Sequence, residues 1–188
     1  MAITLEKKKP ISLLKEKPGI QKIIAGLGWS DTPINGIKPD CDVSVFMLGE
    51  NGKLPQEEFF VFYNNLKSPD GAVIHLGDNR TGEGDGDDES INIDLSKIDR
   101  KIEFIYFTVT IHESELRGHH FGNVKDARIN IYKDDNPEAI CQFKLDETFD
   151  GQDSLLIATL SRNGGNWNVE AMSQAFGGGL NTLVELYQ

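Results

Sequence analysis

Short apolar runs recur along most of the chain, and turn-forming residues separate them. Residues 43–48 and 104–111 are the most continuous runs, whereas residues 128–132 and 139–145 alternate apolar and polar side chains. Alternation with a period of two is typical of a strand with one buried face, and a short continuous run is typical of a fully buried strand. The pattern therefore predicts a protein built mainly from β-strands.

The predicted strands are short and follow one another at regular spacing. They cover residues 11–14, 23–28, 43–48, 59–63, 73–76, 91–95, 104–111, 128–132, 139–145, 155–160 and 167–172. About ten short strands joined by turns rich in Gly, Pro and Asn predict an antiparallel β-sandwich with a few short helices. Helical spacing of apolar residues predicts a short amphipathic helix over residues 179–187. We expect a single domain over residues 1–188, because no segment resembles a linker.

The most distinctive stretch is the acidic run from residue 78 to residue 89. It reads Asp-Asn-Arg-Thr-Gly-Glu-Gly-Asp-Gly-Asp-Asp-Glu, so Arg80 is the one basic residue among many carboxylates. Alternating glycines let the backbone wind tightly, and two like charges about 4 Å apart repel by roughly 4 kcal/mol at an effective dielectric constant of about 20. A compact loop of this composition needs a compensating cation, and calcium accepts irregular sets of oxygen ligands.

The alternative is an acidic loop that stays solvated, as charge runs often are. The predicted strands 73–76 and 91–95 flank the run and would hold its ends together, which favours a compact, cation-binding loop. The run does not fit an EF-hand, because Glu83 stands where that loop needs Gly and no helical pattern flanks it. Asp40 and Asp42 form a second acidic element, and in an extended backbone both point to one face.

The net charge of −11 narrows the classes of partner. It argues against direct binding to nucleic acid, and against anionic membranes unless a cation bridges the two. No continuous apolar segment has the length of a transmembrane helix or the pattern of a signal peptide, so we expect a soluble, cytoplasmic protein. Cys41 and Cys141 are far apart in the sequence and are expected to be reduced, structural thiols.

The run from residue 77 to residue 89 resembles the signature of the TerD-type tellurium-resistance family, whose members are also described as bacterial stress-response or calcium-binding proteins. Similar segments extend along nearly the whole chain. They are residues 26–29, 40–46, 60–68, 109–112 and 174–180. Ser30, Lys38 and Cys41 depart from the residues that are usual in that family.

The resemblance implies a β-sandwich that binds one or two calcium ions through the acidic loop and is associated with resistance to tellurite and other stresses. The first hypothesis for its activity is a non-enzymatic, calcium-dependent sensor or scaffold, with protein partners in a stress-response or membrane-associated complex. The implied metal ligands are Asp40, Asp42, Asp78, Asn79, Glu83, Asp85, Asp87, Asp88 and Glu89. One calcium ion takes about six to eight oxygen ligands, so this set predicts two sites, or one site with a charged rim.

Two other functions stay open at this point. Clustered carboxylates also suit a metal-dependent hydrolase or phosphoryl-transfer enzyme, for which His112 and Arg80 are the candidate base and phosphate clamp. A structural role is the simpler interpretation of His112, and the sequence has no nucleophile motif such as G-x-S-x-G. Direct chemistry on tellurite by Cys41 or Cys141 is the third hypothesis, although neither cysteine belongs to a C-x-x-C pair.

Overall fold

The computed structural model describes residues 2–31, 33–77, 87–134, 136, 138–145 and 147–188. These residues form twelve strands and three short α-helices. The strands are β1 (Ile3–Thr4), β2 (Ile11–Ser12), β3 (Lys22–Asp31), β4 (Cys41–Leu48), β5 (Phe60–Val61), β6 (Val73–His75), β7 (Glu89–Asp94), β8 (Phe104–Ile111), β9 (Val124–Lys133), β10 (Ala139–Lys144), β11 (Ser154–Asn163) and β12 (Asn166–Phe176). The helices are α1 (Leu13–Glu16), α2 (Ser114–Arg117) and α3 (Gly179–Tyr187).

The strands form two six-stranded sheets. The first sheet has the order β1-β10-β9-β3-β7-β6, and the second has the order β2-β12-β11-β8-β4-β5. The short β1–β10 pair is parallel, whereas the long pairs β3–β9, β4–β8 and β11–β12 are antiparallel. Apolar side chains from both sheets share one buried cluster. The predicted mainly β, antiparallel-rich sandwich is confirmed.

Two predicted strands are reduced to two residues each in the structure. The strand predicted over residues 11–14 ends at Ser12, because the Ser12 hydroxyl accepts the N–H of Lys15 and caps α1. The strand predicted over residues 59–63 shortens to β5, since Glu57–Phe59 forms a 3-10 turn immediately before it. Short apolar runs suit either a strand or a buried helical turn, so their pattern alone does not fix the element.

Strand β4 is buried on both faces, which explains its continuous apolar sequence. Val43, Val45 and Met47 face the core between the sheets. Phe46 and Leu48 face the opposite side, where a second apolar cluster forms beneath α3. Sheet pairing alone therefore does not bury β4, and the burial of its outer face depends on α3.

Helix α3 packs on the second sheet through aromatic contacts. The Phe46 ring stacks on the Phe60 ring with centroids 4.4 Å apart, and it meets the Tyr187 ring at 4.9 Å. The carbonyl of Tyr187 also accepts the N–H of Leu54 at 2.7 Å. Leu183 and Tyr187 are buried there, so the helical spacing predicted for this segment matches the face that it packs.

None of the helices among the described residues is long and apolar enough to cross a lipid bilayer.

We expect Phe46→Ala to lower the free energy of unfolding by about 3–5 kcal/mol, because it empties a fully buried site beneath α3. Leu116→Ala is the control, since Leu116 is 82% exposed and its loss should change stability by less than about 0.5 kcal/mol. Urea denaturation followed by circular dichroism measures both. Equal, small losses in the two variants would show that the cluster does not hold the helix.

Candidate metal centre

Three residues of the acidic run belong to the described structure, and they lead into β7. Asp87 and Asp88 precede the strand, and Glu89 is its first residue. The other residues predicted as ligands in this run lie outside the described residues: Asp78, Asn79, Glu83 and Asp85.

Asp87 lies on the outer face of the first sheet and accepts a hydrogen bond on each carboxylate oxygen. Asn130 Nδ2 donates to Oδ1 at 2.7 Å, and the Tyr132 hydroxyl donates to Oδ2 at 2.7 Å. The guanidinium Nε of Arg128 lies 3.9 Å from Oδ1. The two donors and Arg128 alternate along β9 on the face opposite the buried Ile129 and Ile131, so one polar stripe of that strand holds the carboxylate.

Two glycines in β3 make room for these side chains. Gly26 pairs with Asn130, and Gly28 pairs with Arg128. A Cβ atom added to Gly26 would overlap the Asp87 carboxylate, with 2.5 Å to its Cγ, and one added to Gly28 would lie 2.5 Å from Cζ of Arg128. The missing side chains thus form a notch across β3, defined here as the space above Gly26 and Gly28.

The phenol of Tyr132 is held in its neutral form. Partial burial raises its pKa to about 12, and the hydrogen bond to the Asp87 carboxylate contributes in the same direction. A neutral phenol stays a hydrogen-bond donor, so the contact with Asp87 persists throughout the physiological pH range.

Asp88 extends the pairing between β3 and β7 by one residue. Its backbone N–H donates to the Leu27 carbonyl at 2.7 Å. Its carboxylate Oδ2 accepts the backbone N–H of Trp29 at 2.7 Å. The side chain of Asp88 therefore lies against the backbone of β3.

Glu89 is a buried carboxylate that links the two sheets. It is 3% exposed, and its Oε2 accepts the backbone N–H of Val43 in β4 at 3.0 Å. His75 Nε2 lies 3.4 Å from the same Oε2 and 3.2 Å from the Val43 carbonyl. Because His75 Nδ1 accepts the N–H of Gly77, Nε2 carries the ring proton in this network. Strand β5 pairs with β4 at Val45 and Phe46 and does not extend to Val43. Glu89 and His75 therefore provide the polar partners of the Val43 backbone on that side.

The same contact brings together the two ends of the acidic run. His75 ends β6 just before the run, Glu89 begins β7 just after it, and the two strands pair with each other. Flanking strands therefore hold the ends of the run close, as the sequence predicted.

The second oxygen of Glu89 has no hydrogen-bond partner among the described residues, although it is buried. Burying a charged oxygen without a partner is costly, and a cation beside it would offset that cost. An anionic oxygen is also the ligand type that calcium prefers. Glu89 therefore fits a hard cation, although the part of the chain that the structure describes contains no group of three or more His, Cys, Asp or Glu side chains able to hold a metal.

Asp40 and Asp42 lie by a different surface. Asp42 lines an open cavity of about 630 Å³ between α2 and the start of α3, and Asp87, Asp88 and Glu89 do not line it. His112 Nδ1 is 3.8 Å from Asp42 Oδ2, and the His112 N–H donates to the Asp40 carbonyl at 2.7 Å. The structure thus brings the Asp42 carboxylate to His112 at the edge of this cavity.

Comparison with known proteins gives a consistent result. The TerD domain matches residues 1–187. The chain is 40% identical over 187 residues to tellurium resistance protein TerD of Serratia marcescens, covering 100% of this chain and 97% of that protein. It is 36% identical over 188 residues to general stress protein 16U of Bacillus subtilis, covering 100% of this chain and 97% of the relative.

The chain belongs to the TerD family.

Its relatives in the TerD family are thus tellurium-resistance and general stress proteins, which confirms the resemblance found in the sequence. A crystal structure of a TerD homologue from Streptomyces coelicolor superimposes with a TM-score of 0.70 at 18% identity, covering 90% of this chain and 99% of that one. At this identity the likeness shows that the fold is shared.

The partners of the acidic residues in this TerD-family chain were not predicted from the sequence. In the sequence, Asn130 and Tyr132 are polar residues of an alternating segment, and Gly26 belongs to a predicted strand. The alternation over residues 128–132 predicts a polar face, but it does not predict that Asp87 lies against this face.

We expect Glu89→Ala to lower the free energy of unfolding of calcium-free protein by about 1–3 kcal/mol more than Glu89→Gln does. The alanine leaves the buried Val43 N–H without its acceptor, whereas the glutamine amide oxygen still accepts it. Urea denaturation in the presence of a chelator measures the difference. Equal losses in both variants would mean that the Val43 contact adds nothing to stability.

Proposed function

We propose that this TerD-family protein is a calcium-binding stress-response protein that contributes to tellurite resistance as a sensor or scaffold rather than as an enzyme. The observation that carries the proposal is the buried Glu89 oxygen without a hydrogen-bond partner among the described residues, at the end of a strongly acidic run. A charged oxygen in this position is best explained by a cation that binds next to it.

The neighbouring contacts support this proposal. Asp87 and Asp88 are fixed on β3 and β9 by hydrogen bonds, and the pairing of β6 with β7 brings the ends of the acidic run together. A ligand set that is held in place before the ion arrives loses less conformational freedom on binding. The two ends of the acidic run are therefore held close to each other before an ion binds.

We propose that Glu89 supplies one ligand and that the remainder come from the acidic run. Besides Asp87 and Asp88, the ligands that the sequence predicts there are Asp78, Asn79, Glu83 and Asp85. The ion would supply positive charge that compensates the carboxylates. Asp40 and Asp42 belong to a second site in this proposal, because Asp42 lines a separate cavity.

Calcium in this position would act on partner proteins through the surface around the loop. Leu76 immediately precedes the run and is 57% exposed, and its N–H donates to the Ser90 carbonyl just after the run. Fixing the loop would also fix the surroundings of this apolar side chain. We therefore propose a protein partner within a stress-response or membrane-associated complex.

We expect chelator-stripped protein to bind one or two calcium ions per chain saturably, with magnesium present as competitor. Glu89→Gln should weaken binding by about tenfold or more, because ligand charge sets calcium affinity. Glu185→Gln is the control, since it removes the same charge from an exposed position on α3. Isothermal titration calorimetry measures stoichiometry and affinity together.

Thermal melts give a second measurement of the same proposal. Calcium at a hundredfold excess over Kd should stabilise the wild type by about 2.7 kcal/mol, and EDTA should remove that gain. Melts that respond neither to calcium nor to EDTA would exclude calcium binding by this protein.

Direct thiol chemistry on tellurite makes a different prediction. Cys41 and Cys141 are buried, and burial raises the pKa of the Cys141 thiol to about 12, so neither is suited to act as a nucleophile. We expect native protein not to react with Ellman's reagent, and both thiols to react in guanidinium. A Cys41→Ala/Cys141→Ala variant should keep full tellurite tolerance in cells; loss of tolerance with an unchanged fold would favour the thiol hypothesis.

A further inference from the structure

We propose that Asp87 anchors the acidic loop instead of binding calcium, and that Tyr132, Asn130 and the notch at Gly26 are the positioning elements that set calcium affinity through it. The set of Asp87, Tyr132, Asn130 and Gly26 is called the loop anchor below. This inference rests on the proposed function, because it concerns how the same calcium loop is held.

The first reason is that both oxygens of the Asp87 carboxylate are hydrogen-bonded to the protein. Both of its oxygens accept a short hydrogen bond from the protein, each at 2.7 Å, from Asn130 and Tyr132. Glu89, two residues later, keeps a buried oxygen with no partner among the described residues. The two neighbouring carboxylates thus differ: each oxygen of Asp87 has a protein donor, whereas one oxygen of Glu89 has none among the described residues.

The second reason is that the backbone is shaped to receive this carboxylate. Gly26 lies below Asp87, and any side chain at position 26 would occupy the space that the carboxylate fills. Gly26 has no positive backbone φ angle that would call for glycine. Close approach by Asp87 is therefore the reason for glycine at this position.

The third reason is the rigidity of the support. The donors stand on β9, which pairs with β10 on one side and β3 on the other, and the notch stands on β3, which pairs with β9 and β7. Side chains on interior strands of a sheet hold a fixed position better than side chains on loops. Asp87 is thus fixed to the most constrained part of the first sheet.

The fourth reason is the path from the anchor to the proposed ligand. Asp88 follows Asp87 directly and bonds to β3 through both its N–H and its carboxylate. Glu89 comes next and enters the core towards Val43. Releasing Asp87 would loosen these consecutive contacts, so the position of the Glu89 carboxylate depends on the loop anchor.

Calorimetric titration of Tyr132→Phe tests the inference. We expect the number of calcium ions per chain to stay at the wild-type value and the affinity to fall by about tenfold, as for outer-shell partners of metal ligands. Tyr106→Phe is the matched control, because it removes a phenol hydroxyl from a half-buried residue of β8 that belongs neither to the loop anchor nor to the cavity that Asp42 lines. Unchanged affinity in Tyr132→Phe would overturn the proposal.

A double-mutant cycle and the number of bound ions together test the anchor. If Tyr132 acts through Asp87, then Asp87→Asn combined with Tyr132→Phe weakens calcium binding no more than Asp87→Asn alone. If Asp87 is itself a ligand, Asp87→Asn lowers the number of bound ions, whereas the loss of an anchor leaves that number unchanged. Additive losses or a reduced stoichiometry would therefore contradict the anchor.

Calcium-free protein provides a readout that is independent of the proposed function. Asp87→Asn should lower the pKa of the Tyr132 phenol from about 12, and Tyr132→Phe should speed amide exchange at Asp88 and Trp29. An unchanged phenol pKa and unchanged exchange would show that the contact does not hold the loop. Absence of calcium binding in the wild type, with these two effects present, would instead reject the proposed function alone.

Discussion

The contact between Glu89 and the backbone of Val43 is the constraint on which the acidic end of this protein depends. It joins a side chain of the first sheet to a strand of the second, in a place where only 3% of Glu89 is exposed. A charge at that depth needs donors nearby, and His75 approaches it from the other end of the acidic run. One buried carboxylate therefore connects β7 to the second sheet and to the end of β6, on the two sides of the acidic run.

The fold was predictable where burial alone decides the pattern. Alternation over residues 128–132 located part of β9, and the spacing of Leu183 and Tyr187 located α3 together with its packing face. The prediction was wrong at residues 13–14. A fully buried apolar residue such as Leu13 suits either a strand or a helical turn, and the Ser12 cap is what distinguishes the two elements. Two-residue strands such as β1 have too few positions to show a period.

The candidate site was predictable in its composition and much less in its contacts. The sequence does not pair Asp87 with Tyr132, since 45 residues separate them and the contact arises from the register of β3 on β9. For Asp42 the sequence predicts only that its side chain points to the same face as that of Asp40. It does not predict the open cavity that Asp42 lines or its approach to His112.

The notch in β3 has an evolutionary consequence. The Asp87 carboxylate fills the volume that a side chain at position 26 would need. A mutation at either position therefore changes which residues are tolerated at the other. A side chain acquired at position 26 would exclude Asp87 before any change in the loop itself. Among relatives of this chain, the two positions should covary although 61 residues separate them, and the pair marks which sequences close the loop against the sheet in the same way.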